Sequence, residues 1–491
     1  MKRKRLFFGL VLSLAFGISR AFAAESLEKL LSGYLANDMQ LRELSIEMKR
    51  TLLENEVSEI QNGFSFKIST GTITFVPGSD AYVKFTPSLS LALPETRNLN
   101  ISLSSSILFD SLDSTDTFSN TTLKASIDII SNSAKEREIE KIRTQRKILE
   151  AKRNLQNGFL NAETEFYKSL QSLYQMQAKI VTLEKNLYDD KLTLEQLTAQ
   201  GYRSSSTKYR TASMNVKSDE NDIKIQTREL NRESHIFAAK CGVETDFENP
   251  ADFLPDDIPE VSPVSIRDFS SDNYVKTESA KWTQYINSLE REANSASSIT
   301  LKGNAGFTFN NERTSSHTVD LGSDFTWNNT GLTVSAGANL PVGAESFTPV
   351  FTLGISVDPN AFRTVDLNNQ IKDLEIEKEN NDIINAQTAF RTAVVAQRTE
   401  LSNLQWEKST YAESLDMYTS LEADMAKYYK QGYVTQSEYK SSQVNKENYR
   451  IKCIINRIDF LIYNNSTKAL FVRDDEFTAD EKTREETDEK K

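Results

Sequence analysis

Residues that punctuate globular folds are scarce here: the 491-residue chain has only 10 prolines and 17 glycines. That scarcity favours long uninterrupted elements over a loop-rich globule. Only two histidines occur, His235 and His317, isolated from each other and from the two cysteines, Cys241 and Cys453. No zinc-ligand spacing results. No glycine-rich loop ending in Lys-Ser or Lys-Thr is present to cradle a phosphate. Gly303-Asn304-Ala305-Gly306 sits within a strand pattern, where glycine marks a bulge or close packing. The many carboxylates lie on outer faces of helical repeats and read as a solvated surface. These features argue against an enzyme and call for no cofactor and no metal. The 58 basic residues are outnumbered by 70 acidic ones, and nothing resembles a nucleic-acid-binding patch. Export would permit a disulfide between Cys241 and Cys453, but spacing does not pair them.

Long apolar runs are also missing, with one exception at the start. Lys2-Arg3-Lys4-Arg5 precedes an apolar run from Leu6 to Ile18, and Ala21-Phe22-Ala23 follows as a small-x-small cleavage signature. That pattern predicts a signal peptide over residues 1–23, because the run is too short for the roughly 20 residues a membrane helix needs. Its five basic residues gone, the formal charge moves from −12 to −17. An exported chain without a membrane helix is either soluble or enters an outer membrane as a β-barrel.

What is present is one plan carried out twice. From Ser26 to about Glu59, leucines recur at three- and four-residue steps, which predicts a helix. The period then drops to two. Phe64, Phe66 and Ile68 alternate with polar residues, as do Leu89–Leu93, Leu99–Leu103 and Leu123–Ile129. This predicts four strands over residues 64–131. From about Ser133 the period turns helical and strictly heptad, with Phe159, Phe166, Leu173, Ile180, Leu187 and Leu194 each seven apart. Such a repeat keeps one stripe facing a partner helix, as in a coiled coil. A break at Gln200-Gly201-Tyr202 leads into a second helix that ends near Lys240.

Residues 242–268, rich in acids and holding Pro250, Pro255, Pro259 and Pro263, read as a linker. The plan then repeats over residues 269–472. A helix covers Asp272–Ala293. Four alternating segments follow within residues 300–357. A heptad helix carries Ile376, Ile383, Phe390, Leu404, Tyr411, Tyr418 and Met425 in one register. It breaks at Gln431-Gly432-Tyr433, and a last helix reaches about Leu470. Residues 473–491 form a charged tail with the composition of a disordered segment. The first repeat thus spans residues 24–241 and the second residues 269–472.

Each heptad helix would be about 100 Å long at 1.5 Å per residue, a rod with no place in a globular domain. The alternating segments match tilted transmembrane β-strands of about 9–11 residues. A sheet in lipid must close on itself, because unpaired edges are costly there. A few helical rods per chain cannot wall a wide channel, so closure by several subunits is the simpler solution. Two other readings compete. One is a trimeric coiled-coil surface adhesin. The other is a fibrous structural protein of the envelope with a small two-faced β-domain.

The order helix, strands, long helix, glycine-containing break, helix, performed twice, resembles the TolC-like outer-membrane efflux proteins. The resemblance spans about Leu27 to Leu470, and its most specific segment is Tyr429-Lys430-Gln431-Gly432-Tyr433-Val434-Thr435-Gln436-Ser437-Glu438-Tyr439. It implies a mixed α and β channel-tunnel: an outer-membrane β-barrel continued by a long α-helical coiled-coil barrel, trimeric, with internal duplication. The implied function is the exit duct of a tripartite efflux pump or type I secretion system. The implied partners are a periplasmic adaptor protein, an inner-membrane transporter, outer-membrane lipid and two further copies of the chain. Gly201 and Gly432 would be the hairpin tip turns. Glu438 and Tyr429 would belong to the periplasmic gate, with crowded copies of Glu438 raising one another's proton affinity. One departure stands out: the family has two strands per half, and this sequence has four. Either the membrane barrel is wider, with about 24 strands from three chains instead of about 12, or one hairpin of each half projects outside the cell. The sequence does not decide between them, and the need for twelve helices to join the barrel rim smoothly leans towards the hairpin.

Overall fold

The computed structural model describes residues 26–76, 82–110, 118–243, 254–296, 298–310, 317–343 and 347–472. The expected signal peptide, the charged tail and residues 244–253 of the expected linker lie outside these. Seven helices and ten strands are named in chain order: α1 (Leu27–Asn37), α2 (Met39–Asn62), β1 (Ser65–Ser69), β2 (Ile73–Val76), β3 (Tyr82–Phe85), β4 (Ser88–Leu93), β5 (Leu99–Asp110), β6 (Phe118–Ile130), α3 (Ser133–Ala199), α4 (Thr207–Lys240), α5 (Val275–Ala296), β7 (Ile299–Asn310), β8 (His317–Trp327), β9 (Leu332–Val342), β10 (Val350–Val357), α6 (Ala361–Lys430) and α7 (Gln436–Ala469). The fold is mixed α and β. Helices α3 and α6 run unbroken for 67 and 70 residues. The single helix expected from Ser26 is interrupted at Asp38, whose extended backbone (ψ 119°) ends α1.

The described residues form two compact units, and each draws on both halves of the chain. One unit contains α1, α4, α7, residues 254–263, α3 from Asn161 and α6 from Glu400. Its core joins Leu30, Phe166, Leu170, Leu173, Tyr174, Leu230, Phe237, Ile451 and Ile458. Phe166 and Leu173 come from the heptad register. Phe159, of the same register, stays exposed. The proline-rich stretch is firmly packed where it is described: Leu254 and Ile258 are buried, and the Tyr174 hydroxyl donates to the Pro255 carbonyl.

Half-buried beside this core, Asp459 accepts from Gln171 Nε2 at 2.7 Å. Desolvation, reinforced by Glu407 and Glu400, pushes its carboxyl up to about 6 against the opposing Gln171 bond. Its affinity for a proton is thus higher folded than unfolded, where a value near 3.9 applies. Protonation therefore favours the fold. Stability should fall as pH rises from about 4 to about 6 and stay lower above that. Asp459→Asn is expected to raise stability at pH 7 by about 1–2 kcal/mol and to gain nothing below about pH 4. Urea titrations at both pH values check this, and an equal gain at both would refute it.

The second unit holds α2, the sheet, α5, α3 up to Leu160 and α6 up to Thr399. Its helices are clamped by buried ion pairs. Glu278 on α5 accepts from Arg146 and Arg153 of α3, and both its neighbours and itself are buried. Arg291 on α5 makes a bidentate pair with Glu379 of α6 at 2.6 and 2.8 Å. Glu278 and Glu379 correct the expectation that helix carboxylates are merely solvated. Ile139, Ile142, Trp282, Ile286 and Ala293 fill the space beside the first pair.

The sheet is an antiparallel meander in the order β1-β4-β5-β6-β7-β8-β9-β10, with β2 and β3 off this path. The two halves of the chain meet where β6 pairs β7. Strands β3 and β4 keep one register along β5, since Phe85 faces Ile107 and Ser88 faces Ser104. They are one long strand interrupted at Pro87, which has no N–H to donate. Similarly, β1 and β2 follow one another along that strand across a one-residue slip at Gly71, whose φ of +65° suits a bulge. The first half therefore contributes four long strands, like the second. All of them lie in one sheet.

Candidate functional site

Alternation gives this sheet two unlike faces. Following cross-strand partners, one face carries Phe66, Leu91, Ile101, Ala125, Ala305, Leu321, Ala338 and Phe351 in a continuous band. Above and below that band the same face continues with Leu89, Leu103, Leu123 and Phe307, and with Leu301, Phe325, Val334 and Ile355. Most of these side chains are exposed, and on the edge strand β10 every residue is. The other face is built from Ser90, Asn100, Ser102, Lys124, Asp128, Asn304, Lys302, Asp320, Asp324 and Ser335. It is knitted by polar contacts. Asn339 donates to Asp320 at 2.5 Å, and the Thr122 and Thr308 hydroxyls meet at 3.2 Å. Lys302 lies opposite both Asp128 and Asp324 in the ladder. Arg137 donates to Asn98, which donates to Asp128. A sheet apolar on one side only is commonly covered by core. Here, among the described residues, no side chain of the apolar face is buried.

The breaks in the helical hairpins have a shared geometry. Gly201 N–H donates to Thr198 and Tyr202 N–H to Leu197; Gly432 N–H donates to Tyr429 and Tyr433 N–H to Tyr428. Both glycines have positive φ, +79° and +76°. These are Schellman caps, which glycine enters without the Cβ penalty. A Cβ at either position meets nothing within 4 Å. The only cost of substitution is therefore the backbone. Gly432→Val is expected to disorder that turn at a cost of about 1–2 kcal/mol, and Gly432→Asn to cost less. Hydrogen exchange at the ends of α6 and α7 would read the difference. Equal protection in the valine variant and the parent would contradict it.

Glu438 has a local task at the second turn. Its carboxylate accepts from the backbone N–H of Thr435 at 2.7 Å and from the Thr435 hydroxyl at 2.8 Å, closing a capping box at the start of α7. These hydrogen bonds lower its affinity for a proton, the backbone one most. In the single chain the direction is thus opposite to the crowding effect expected of a ring. Tyr429 stacks on Tyr439 with ring centroids 5.5 Å apart, and the Tyr439 hydroxyl donates to Glu422. The contact between Tyr439 and Glu422 is not legible in the sequence, because the two meet only once the hairpin closes. Cys241 and Cys453 are both free thiols. His317 accepts from the Asn310 N–H and stacks on Phe309, a strand-end contact.

No curated protein matches the chain. Among solved structures it is similar to CusC, from crystal structures concerned with folding and transmembrane channel formation: 14% identity, 94% of this chain and 96% of that one, TM-score 0.46. It is also similar to the CmeC outer membrane channel of Campylobacter jejuni, at 11% identity over 94% and 89% of the two chains with a TM-score of 0.46. A membrane protein from Pseudomonas aeruginosa gives 13% identity over 91% of both chains and a TM-score of 0.45. Two family models match in succession, the TP096X N-terminal domain over residues 30–260 and the TP096X C-terminal domain over residues 259–474. Spanned almost entirely by these two domains in order, the chain belongs to the TP096X family.

Proposed function

We propose that this protein is an outer-membrane exit duct, a passive trimeric channel for cargo delivered by a periplasmic adaptor and an inner-membrane transporter. The observation that carries the reading is the open, two-faced sheet. In water, so wide an apolar face would be a strong aggregation hazard. In a bilayer it meets lipid, and the polar face lines a water-filled lumen. The two sheet edges, β10 on one side and β1 with β2 on the other, must then find partners, because lipid offers no hydrogen bonds to an open edge. Three copies joined edge to edge would supply roughly 24 strands, within the range of outer-membrane barrels. The long helices would continue that barrel as a periplasmic tunnel. This favours a wide barrel over an external hairpin.

Glu438 and Tyr429 are proposed as the gate at the tips of the second hairpins. Three copies of Glu438 would form an anionic ring that favours cations. The capping box makes Glu438→Gln a clean probe, since glutamine can serve at the same capping position without the charge. The test is single-channel recording of the purified protein in planar bilayers. A stable conductance that prefers cations is expected, with the preference reduced in Glu438→Gln. Failure to insert would refute the duct, whereas insertion with selectivity unchanged in the variant would refute only the gate.

A further inference from the structure

Four long strands in each half create something that two would not: an inner turn at the end of the sheet where the helices attach. In the first half it is residues 94–98, between β4 and β5. In the second it is residues 328–331, between β8 and β9. Each lies against the elbow at which the last strand of its half gives way to a long helix. The Asp128 N–H donates to the Arg97 carbonyl at 2.9 Å, and Asn98 Nδ2 donates to the Asp128 carboxylate at 2.7 Å. Asn98 Oδ1 in turn accepts from Nη1 of Arg137 on α3 at 2.6 Å. One amide thus spans the strand end and the helix start. In the second half the Asp358 N–H donates to the Gly331 carbonyl at 3.0 Å, and the Asn328 N–H to the Ser298 carbonyl at 2.8 Å. That turn therefore holds the elbow leading into β7 as well as the one leaving β10.

The first turn keeps its shape at a cost. Arg97 and Asn98, with φ of +52° and +53°, are the two non-glycine residues of positive φ among the described ones. Glycine would adopt that backbone freely, whereas a Cβ disfavours it. Strained residues of this kind persist only where their surroundings hold them, and they cluster at sites with a task. At Asn98 the side chain explains the choice. Asparagine tolerates the left-handed region, and its amide can both donate to Asp128 and accept from Arg137. In the second turn Gly331 is left-handed too, at φ +64°. A Cβ there would stand 2.6 Å from the Asp358 carbonyl oxygen and 2.8 Å from Ala361 Cβ. The backbone of that turn is thus seated directly on the first residue of α6.

We propose that these two turns are braces, which fix the direction in which α3 and α6 leave the sheet and so keep the buried ion pairs of this unit in register. The lever is long. Arg153 stands 20 positions after Ser133, the start of α3, and Glu379 stands 18 after Ala361, the start of α6. Either distance is about 30 Å along a helix. A tilt of about 5° at the elbow would therefore move either side chain by roughly 2–3 Å. The Arg153–Glu278 and Arg291–Glu379 contacts, at 2.6 to 3.0 Å, have no such latitude. The doubled strands thereby acquire a mechanical task at the helix end of the sheet. The inference does not depend on the duct reading, since every contact it uses lies within one chain and one compact unit.

The test is hydrogen exchange, read by mass spectrometry, on the full-length protein in mild detergent. Asn98→Gly keeps the left-handed turn without strain but removes both side-chain bonds. Arg137→Met leaves the turn untouched and removes only its link to α3. Both are expected to speed exchange over the first turns of α3 about tenfold, as loss of one hydrogen bond to a charged group implies. Both should also raise it in α5 around Glu278, where the lever acts. Glu95→Ala, an exposed change in the same turn, should do neither. Gly331→Ala should speed exchange at the start of α6 and in α5 around Arg291, and leave the start of α3 as in the parent. Faster exchange confined to residues 94–98, or parent-like exchange throughout α3 and α5 in Arg137→Met, would overturn the first brace. Parent-like exchange at the start of α6 in Gly331→Ala would overturn the second. Should Asn98→Gly not fold, Arg137→Met decides the first brace alone.

Discussion

Leu321→Arg is expected to prevent stable insertion into lipid vesicles while leaving helix content intact. Leu321 sits midway along β8, half-exposed, between Ala305 of β7 and Ala338 of β9. Among the described residues no side chain buries that face, so in water an arginine there would be harmless. At the mid-plane of a bilayer an arginine on the lipid face of a barrel costs about 2–4 kcal/mol per chain. Three copies in one closed barrel would each bear that cost, which is enough to abolish a folded state of ordinary stability. The control is Ser104→Arg on β5, whose side chain stands on the polar face opposite Ser88 and Thr122. Facing a water-filled lumen, it should be tolerated to within about 1 kcal/mol. Urea titration of both variants in vesicles, read by gel mobility and circular dichroism, separates them. If the two variants behave alike, the sheet does not face lipid, and the fibrous or adhesin reading regains its place.

Periodicity made the elements of this fold legible, and partners made the rest illegible. The change from a period of four to two and then to seven placed α3, α4, α6 and α7 and the long strands close to where they lie. The short strands β2 and β3 escaped because each has only four residues, and the ladder runs past Gly71 with a bulge and past Pro87 with an interruption. Alternation predicted which residues of a strand share a face. It left unsaid that all eight long strands belong to one sheet, since the β6–β7 pairing joins residues nearly 200 positions apart. A heptad likewise marks a seam without naming what lies across it: Phe166 is in the core, Phe159 of the same register is exposed. For the candidate site, the turns at Gly201 and Gly432 were readable because a left-handed residue strongly favours glycine. The capping role of Glu438 is absent from the sequence reading, which gives Glu438 only to the gate, although Thr435 and Glu438 stand at capping-box spacing and that spacing is the signal that could have found it. The contact of Tyr439 with Glu422 was not readable.

The clearest illegible feature is Glu278, and removing its charge should be the most damaging single change in the helical part of the second unit. Nothing in its sequence context separates it from the surface acids around it. In the fold it is 1% exposed, bidentate to Arg146 and bonded to Arg153 Nη1 at 3.0 Å. Arg146 lies over the Trp282 ring, 4.9 Å from its centroid, and also bonds Glu150. Glu278→Ala would leave two cations in a site with little access to water. Breaking a buried pair in this way costs about 3–5 kcal/mol, far more than loss of an exposed, solvent-screened pair such as Arg50 with Glu54. Replacing the whole cluster by apolar residues is a different matter, because desolvating ions offsets much of their attraction. The triple variant Arg146→Met, Arg153→Leu, Glu278→Leu should therefore be far more stable than Glu278→Ala alone. Chemical denaturation of the detergent-solubilised protein gives both values. If Glu278→Ala lost less than about 1 kcal/mol, the cluster would have to be hydrated, and its part in clamping α5 to α3 would fall with it.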